Sequence, residues 1–263
     1  MAQARIMYDM TVKEIVEGLR ETQTVVIPVG MIEQHGYHLP TSVDVHNSAE
    51  IARRTSEATG CFVTPSVHYN ISGGMLPGTI NITPQVFSLM LMDILQSLVM
   101  QGFKNVILLL GHGGLESGTA AKDAATFFQW LRPEMPGVNV CLLGFWELSP
   151  TYWEMCQKGD WHAGLLETSM MLYWKPELVK LDQAQYDEGE ILPLMRKDPY
   201  MFANKLKNVD NKFVVPRIIQ DPRIKVGVMG DFTGANPELG RKIAEECVSG
   251  LADLIAELEA SGG

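Results

Sequence analysis

A short stretch of this chain, residues 29–47, is rich in side chains that can bind metal ions or move protons. It reads VGMIEQHGYHLPTSVDVHN and contains two carboxylates and three imidazoles: Glu33, Asp44, His35, His38 and His46. Two later segments carry smaller versions of this mixture, GHGGLES around His112 and WHAGLLETS around His162 and Glu167. We predict that the three segments meet at one site that holds two metal ions.

The spacing within the first segment allows three side chains to reach one point. Glu33 and His35 are two residues apart, so both side chains point the same way in an extended backbone. Asp44 comes nine residues after His35, and Gly36 and Pro40 can turn the intervening chain back. This segment can therefore supply one imidazole and two carboxylates.

The two later segments can supply the remaining ligands. His112 is flanked by glycines, which let the backbone approach an ion closely. Glu167 follows His162 by five residues and could add a third carboxylate. Two imidazoles and three carboxylates form a mixed nitrogen and oxygen set that suits Zn²⁺ or Mn²⁺ better than calcium or an iron–sulfur cluster. Three carboxylates and one bridging hydroxide would balance two divalent ions.

Such a site predicts hydrolysis. Water on a divalent ion can have its pKa lowered to about 7, so it is a nucleophile at neutral pH. His162 is then a candidate to pass the proton to the leaving group. A lone histidine in a loop is usually only a polar loop residue, and the prediction therefore depends on the three segments together. We interpret His46 and His68 as structural and leave His38 open.

Two other motif readings fail. The GHGG turn lacks the Lys-Ser/Thr pair of a phosphate-binding P-loop. Ser117 stands one place too late for the G-x-S-x-G nucleophile elbow.

Strands and helices alternate along the chain. Buried strands are expected at Thr24–Val29, Cys61–Pro65, Asn105–Leu110 and Val138–Gly144, from their apolar runs. Helices are expected at Val12–Arg20, Ala49–Ala58, Pro84–Met100, Ser117–Leu131, Ala163–Trp174 and Glu238–Glu259. Residues 68–78 read as a loop, and residues 181–216 as polar and irregular. We predict an α/β fold, a mostly parallel sheet with helices on both faces, in a single domain of residues 1–263.

The three histidine segments follow predicted strands, which has a consequence for the site. In open parallel sheets, ligands bind beyond the carboxyl ends of the strands. The three segments should therefore share one edge of one sheet.

Charge and composition limit the partners. The 263-residue chain has a formal net charge of −10, which makes nucleic acid and anionic membranes poor partners. Its four cysteines form no C-x-x-C pair, as expected for free thiols in a reducing compartment. The N-terminal residues show no secretion signal, and the apolar segment 86–100 is shorter than the roughly 20 residues that span a bilayer. We expect a cytoplasmic protein.

Four motifs resemble the creatininase (creatinine amidohydrolase) family: VGMIEQHGYHLPTSVDV, the GHGG turn, HAGLLETS and VGVMGDFTGANPELGRK. The similarity runs through nearly the whole chain. It implies an α/β fold with a two-metal site, and a homo-oligomer, since the best-known member is a hexamer that hydrolyses a cyclic amide. By this resemblance Glu33, Asp44 and His112 hold one ion, while His35, Asp44 and Glu167 hold the other. His162 matches the family's catalytic histidine.

The resemblance also implies contacts to a substrate. Trp146 in GFWEL matches a tryptophan beside the substrate, and Ser72 and the backbone of Gly113 match further contacts. Gly114 stands where creatininase itself has a glutamate, while Glu116 lies two residues later.

Two other family positions differ. Many relatives read GHGGN, where this chain has Leu115, and Lys158 replaces a tryptophan before the catalytic histidine, although Trp161 lies close by. These departures are compatible with the metal site and argue against creatinine itself as the substrate.

Three functions stay open at this point. Hydrolysis of the C–N bond of a small cyclic amide is the leading one. The alternative is C–C hydrolysis that opens an oxidised inositol ring, for which Lys158, Glu116 and Asn70 could supply a polar pocket. The third is a non-catalytic, metal-stabilised binder of small molecules, which Gly114 and Leu115 would favour and an intact His162 opposes.

Overall fold

A parallel sheet of five strands lies at the centre of the computed structural model, which describes residues 3–198 and 203–261. The strands are β1 (Arg5–Ile6), β2 (Thr24–Val29), β3 (Phe62–Val63), β4 (Asn105–Leu110) and β5 (Asn139–Gly144). Their spatial order is β1-β3-β2-β4-β5. Every residue of β2 and β4 is buried, because helices cover both faces of the sheet.

The described residues form eight α-helices: α1 (Val12–Gly18), α2 (Val43–Thr59), α3 (Pro84–Met100), α4 (Leu115–Leu131), α5 (Pro150–Gln157), α6 (Leu165–Trp174), α7 (Ile191–Lys197) and α8 (Pro237–Ser261). Alternate residues of the strands face opposite sides. Val25 and Ile27 pack in a core with α3 and α4, whereas Val26 packs in a second core with α2, α6 and α8. The predicted class, an α/β fold with a mostly parallel sheet, is confirmed.

The strand order reverses between β2 and β4. The chain leaves β2 through α2 to reach β3 on one side, and returns through α3 to reach β4 on the other. β2 and β4 end level, since Val29 pairs with Leu110. The loops after these two strands diverge at this point and leave a crevice, the usual ligand position in such sheets.

Several predicted elements match the structure closely. Strands β2 and β4 and helix α3 have the predicted bounds. The capping box at the start of α1 is present, with the Glu14 amide donating to Thr11 and the Thr11 amide donating to Glu14.

Helix α2 differs from its prediction in a way that affects the site. It begins at Val43 rather than Ala49, so Asp44 lies in its first turn and not in a loop. The sequence VDVHNS has low intrinsic helix propensity, and tertiary packing overrides it here. Helix α5 and strand β1 were missed.

Residues 181–216 are more regular than predicted. They include α7 and, among the described residues, a strand β6 (Ala203–Leu206) that pairs antiparallel with β7 (Arg217–Gln220). Ile191 and Met195 of α7 pack with Ile224 in a small separate core. We call residues 221–230, which follow β7, the strap. No helix within the described ranges is both long and apolar enough to cross a bilayer.

Candidate metal centre and active-site cavity

Five predicted ligands meet beyond the carboxyl ends of β2 and β4. Nδ1 of His112 lies 3.1 Å from Oε2 of Glu33 and 3.2 Å from Oδ2 of Asp44. Nε2 of His35 lies 3.4 Å from Oδ1 of Asp44 and 3.5 Å from Oε2 of Glu167. The side chains thus form two groups that share Asp44, each compact enough to surround one ion.

Local backbone contacts aim these side chains. Nδ1 of His35 lies 3.0 Å from the backbone carbonyl oxygen of Glu33. That carbonyl can only accept, so Nδ1 carries the proton and the Nε2 lone pair faces Asp44 and Glu167. The backbone amide of Ala163 donates to Oε2 of Glu167 at 2.7 Å.

Two glycines let the first turn of α2 approach the sheet. A Cβ atom on Gly111 would lie 2.0 Å from the carbonyl oxygen of Asp44, and one on Gly30 would lie 2.6 Å from the Cα of Val45. No larger residue fits at either position without a shift of backbone. These glycines therefore determine how close Asp44 comes to the ends of the strands.

The donor set fits divalent ions. Oε2 of Glu33, Oδ2 of Asp44 and Nε2 of His35 are buried and have no hydrogen-bond partner. Unpaired buried polar atoms are costly and rare, and these three belong to the two groups of side chains that share Asp44. Two cations such as Zn²⁺ or Mn²⁺, which accept imidazole and carboxylate ligands, would satisfy them, with one ion in each group.

The pKa values show the same need for positive charge. Burial alone would lower the pKa of His112, but the carboxylates of Glu33 and Asp44 outweigh it and raise that pKa to about 10. Burial alone would raise the pKa of Glu33, but His112 and His162 lower it to about 2. Burial opposes the shift of Asp44 as well, and His35 and His112 nevertheless hold its pKa below the ordinary value. Where no metal ions are bound, protons on the histidines would balance the negative charge of these carboxylates.

His162 lies beside the two groups. Its ring is tilted against that of His35 with centroids 4.2 Å apart, and its Nδ1 lies 3.8 Å from Oε2 of Glu33. Burial and the neighbouring His35 lower the pKa of His162. The next residue, Ala163, has a φ of 57°, a left-handed conformation that non-glycine residues rarely adopt.

A cavity of about 300 Å³ opens onto these side chains. Its lining includes every residue that was predicted to contact substrate: Ser72, Gly113, Glu116, Trp146 and Trp161. Their contacts with a substrate stay predictions.

Sequence reasoning missed several residues of the cavity. Tyr152, Trp153 and Cys156 line it from α5, and the sequence Ser149-Pro150 could have revealed that helix as a cap and first-turn pair. Gln34 also lines the cavity, and its position between the predicted ligands Glu33 and His35 could have indicated this. The strap contributes Ile224, Gly227 and Met229 to the lining, and no local sequence pattern marks these three residues.

Asp160 lines the same cavity and holds the start of α6. Its carboxylate accepts hydrogen bonds from the backbone amides of Leu165 and Leu166 at 3.0 and 2.9 Å. Burial raises its pKa to about 6 against the opposing effect of these two amides. This carboxyl therefore positions the helix that carries Glu167.

Other polar candidates lie outside the cavity. Nε2 of His38 lies 3.1 Å from Oγ1 of Thr168 in the protein interior, and His46 and His68 are not among the lining residues. The prediction of a polar pocket formed by Lys158, Glu116 and Asn70 is wrong for two of the three, because Lys158 and Asn70 do not line the cavity.

Lys158 pairs with Glu154 at the surface, where a lysine side chain keeps its charge hydrated. Asn70 is buried and donates to Oγ of Ser117, which leaves its side chain inside the loop packing. Of the three residues proposed, only Glu116 reaches the cavity.

Residues 8–255 match the family model Creatininase, described as creatinine amidohydrolase. The chain belongs to the creatininase family. Its fold agrees, since two solved creatininase structures superpose on it with a TM-score of 0.76 at 25% identity, over 97% of this chain and 98% of theirs. One of those structures is a manganese form and another is a Zn-Zn form of a mutant.

Curated relatives act on different molecules. The chain is 26% identical to a creatinine amidohydrolase of Pseudomonas putida over 88% of both chains. It is 30% identical to a mycofactocin precursor peptide peptidase of Mycolicibacterium smegmatis, over 88% of this chain and 83% of that one. It is 34% identical to a 3-dehydro-scyllo-inosose hydrolase of Thermotoga maritima, over 66% of this chain and 58% of that one. This chain is a hydrolase of the family, and the family leaves its substrate undetermined.

Proposed function

We propose that this chain is a two-metal hydrolase that cleaves a C–N bond in a small cyclic amide. The observation that carries the proposal is the pair of ligand groups that share Asp44, with buried acceptor atoms in each group that have no hydrogen-bond partner. Glu33, Asp44 and His112 would hold one ion, and His35, Asp44 and Glu167 the other. Bound there, zinc or manganese would supply a nucleophile from water at neutral pH and polarise a carbonyl group.

The protein itself would orient the substrate and exclude water. Trp146, Trp153 and Trp161 line the cavity and offer flat apolar surfaces for a planar ring. The Ser72 hydroxyl can donate or accept hydrogen bonds at its polar groups, and the Glu116 carboxylate can accept them. His162 would act on the reacting atoms, since its Nδ1 lies beside Glu33.

The charge of the lining restricts the substrate. No lysine or arginine of the described residues lines the cavity, whereas Glu116 and Asp160 do. An anionic substrate would find no lysine or arginine to pair with in this cavity, and a neutral or cationic one is favoured. The apolar side chains Leu76, Ile224 and Met229 favour a ring of limited polarity over a polyol.

C–C hydrolysis of a cyclic ketone is the second candidate. The 34% identity to an inosose hydrolase favours it, and the same polarised carbonyl would serve both reactions. Peptide hydrolysis is the third outcome of the test, because a mycofactocin precursor peptidase aligns over most of this chain.

The deciding experiment assays one zinc- or manganese-loaded preparation against matched panels of lactams and cyclic ureides, cyclic diketones, and short peptides. We expect turnover of a cyclic amide or ureide that disappears in Asp44→Asn and persists in the exposed control Asp123→Asn. Turnover confined to diketones or peptides would replace the C–N assignment. No turnover from any panel, with both ions bound, would favour the binder.

The number of ions is part of the same proposal. Plasma mass spectrometry on protein purified without a histidine tag should find close to two ions per chain, and close to none after dialysis against a chelator. One ion per chain would contradict the two-metal assignment.

We also propose that the chain forms a homo-oligomer. Helix α3 exposes the apolar side chains of Val86, Leu89 and Met100, and α4 exposes Trp130, which a second copy of the chain could cover. Light scattering should give a multiple of the 29.2 kDa chain mass, and a monomer would refute this part of the proposal.

A further inference from the structure

The side chain of Gln34 has one orientation that its neighbours allow. Its Oε1 accepts a hydrogen bond from the backbone amide of Gly36 at 3.0 Å, and its Nε2 donates to the carbonyl oxygen of Gly227 at 3.4 Å. A reversed amide group would place two N–H groups together at Gly36 and two oxygens together at Gly227. The amide nitrogen is therefore the atom that lies 3.0 Å from Nε2 of His162.

This contact decides which nitrogen of His162 carries the proton. An amide nitrogen donates and cannot accept, so Nε2 of His162 must be the accepting nitrogen. The single proton of the neutral ring is then on Nδ1, which faces Oε2 of Glu33 at 3.8 Å. We propose that Gln34 is a positioning residue that holds His162 as the Nδ1–H tautomer and so keeps it from binding a metal ion.

The tautomer separates His162 from the ligands. Glu33, His35 and His162 form a third group of side chains close enough to hold an ion, in addition to the two groups that share Asp44. Ligation by Nδ1 of His162 would require a lone pair there, and Gln34 places the proton at that atom. The third group is therefore excluded by hydrogen bonding, although its distances would allow an ion.

Asp187 secures this arrangement from a distance. It is buried, and its carboxylate accepts hydrogen bonds from the successive backbone amides of Lys225, Val226 and Gly227 at 2.5, 2.9 and 2.7 Å. The carbonyl of Gly227 is thereby held towards Gln34. Gly227 also has a φ of +77°, and a Cβ there would lie 2.4 Å from Nε2 of Gln34.

The same strap holds the backbone of His162. The amides of Met229 and Gly230 donate to the His162 carbonyl oxygen at 2.9 and 3.1 Å. Asp187 is thus a second positioning residue, which acts through the strap on both partners of the Gln34–His162 contact.

The chemical consequence rests on the proposed function. An Nδ1–H group beside the metal ligands can donate a hydrogen bond to an oxygen that gains negative charge in the transition state. The same nitrogen cannot take a proton from water, because it has no free lone pair. His162 then stabilises charge, in place of the proton transfer expected from the sequence.

Nuclear magnetic resonance of the zinc-loaded protein with ¹⁵N-labelled histidine tests the tautomer directly, since the chain has only six histidines. The His162→Gln variant identifies the ring signals of His162. We expect Nδ1 to carry the proton in the unaltered chain at pH 8. In Gln34→Glu, the new carboxylate accepts from Nε2–H, and we expect the proton to move to Nε2.

Two matched variants test the role of Asp187. Asp187→Asn removes one of the two oxygens that accept hydrogen bonds from the strap amides. The strap should then hold Gln34 and His162 less firmly, and a second set of His162 signals should appear. The exposed Asp182→Asn should leave a single set. An Nε2–H signal in the unaltered chain would overturn the proposal whatever the variants do. Unchanged signals in Gln34→Glu would overturn the role of Gln34, and unchanged signals in Asp187→Asn that of Asp187.

This readout is independent of turnover. A protein that hydrolyses nothing but shows Nδ1–H would refute the proposed function and leave the tautomer assignment intact. A working hydrolase with an Nε2–H signal would refute the tautomer assignment and leave the proposed function intact.

Discussion

Asp44 is a single carboxylate that serves two ligand groups. Its Oδ1 faces His35 and its Oδ2 faces His112, and the whole side chain is buried in the first turn of α2. A residue in this position contributes to both sites at once. Its loss should therefore have a larger effect than the loss of any ligand that belongs to one group.

The first prediction is that Asp44→Asn loses both ions. The substitution removes the negative charge and one of the two bridging oxygens, so metal content should fall from two ions per chain to well below one. Hydrolytic activity should fall by more than about 100-fold, which already exceeds the usual effect of altering residues that support ligands. Plasma mass spectrometry and initial rates measure both. Asp123→Asn on the exposed face of α4 is the control, and two retained ions in Asp44→Asn would contradict the bridging role.

The second prediction concerns pH in the metal-free protein. The pKa of His112 is raised to about 10 from 6.5, so its contribution to stability is full below pH 6.5 and is lost as the pH rises through 10. The pKa of Glu33 is lowered to about 2 from 4.5, so its contribution is present above pH 4.5 and is lost only towards pH 2. The melting temperature of chelator-treated protein should therefore fall between pH 6.5 and 10.

Two comparisons make that prediction specific. Protein loaded with zinc should not lose stability over the same range, because the ions bind the deprotonated ligands. The metal-free His112→Asn variant should show a smaller dependence on pH, since the shifted imidazole is gone. Circular dichroism melts at several pH values would contradict the prediction if the metal-free protein kept a constant melting temperature up to pH 10.

At the scale of elements, the position of α2 depends on the absence of side chains at the ends of two strands. Gly111 follows β4 and Gly30 follows β2, and both contact the first turn of α2 more closely than a Cβ would permit. The helix start and the strand ends must approach in this way for Asp44 to reach His112. These glycines connect the fold to the metal centre.

The third prediction compares two glycine-to-alanine changes. In Gly111→Ala the new Cβ would lie 2.0 Å from the carbonyl oxygen of Asp44, and we expect about 1–3 kcal/mol of destabilisation, typical of overpacking, with reduced metal content. In Gly118→Ala, inside α4, no atom lies within 4 Å of the new Cβ, and about 0.5–1 kcal/mol of stabilisation is expected. Urea unfolding measures both. Equal effects of the two changes would refute the close-packing explanation.

Elements with a strong local signal could be predicted from the sequence. Strands β2 and β4 are continuous apolar runs because both faces of the central sheet are covered, and their bounds followed from that. The start of α2 could not be found in the same way, since its first turn is held by packing against Gly30 and Gly111 and has weak helix propensity. Strand β1 has two residues and exists through its pairing with β3.

The site, like the fold, could be predicted where the sequence carries a local signal. Glu33, His35 and Asp44 were recognisable from residue type and spacing, and the strand positions predicted where His112 would meet them. The contribution of the strap was not recognisable, because it depends on hydrogen bonds between residues far apart in sequence. Asp187 binds amides 38 to 40 residues later, and no local pattern marks such a contact.

At the scale of the whole molecule, the metal ligands come from segments that pack on different sides of the sheet. His112 follows β4 and leads into α4 on one face, whereas Glu167 lies on α6 on the other. Ions held between these ligands would cross-link the two layers at one edge. The hairpin β6–β7 pairs only with itself in the sheet topology and contributes no ligand.

The fourth prediction follows from this division and is tested by hydrogen exchange with and without zinc. Amides of β2 and β4 are buried between two cores and should exchange only through global unfolding, in either condition. Zinc should slow exchange in residues 33–44, 111–114 and 162–167, where the ligands lie. Exchange in the hairpin should stay fast and unchanged, because its side chains are largely exposed and no ligand comes from it. Equal slowing of the hairpin and the ligand segments would mean that the ions act by tightening the molecule as a whole, and would contradict a local cross-link between the two layers.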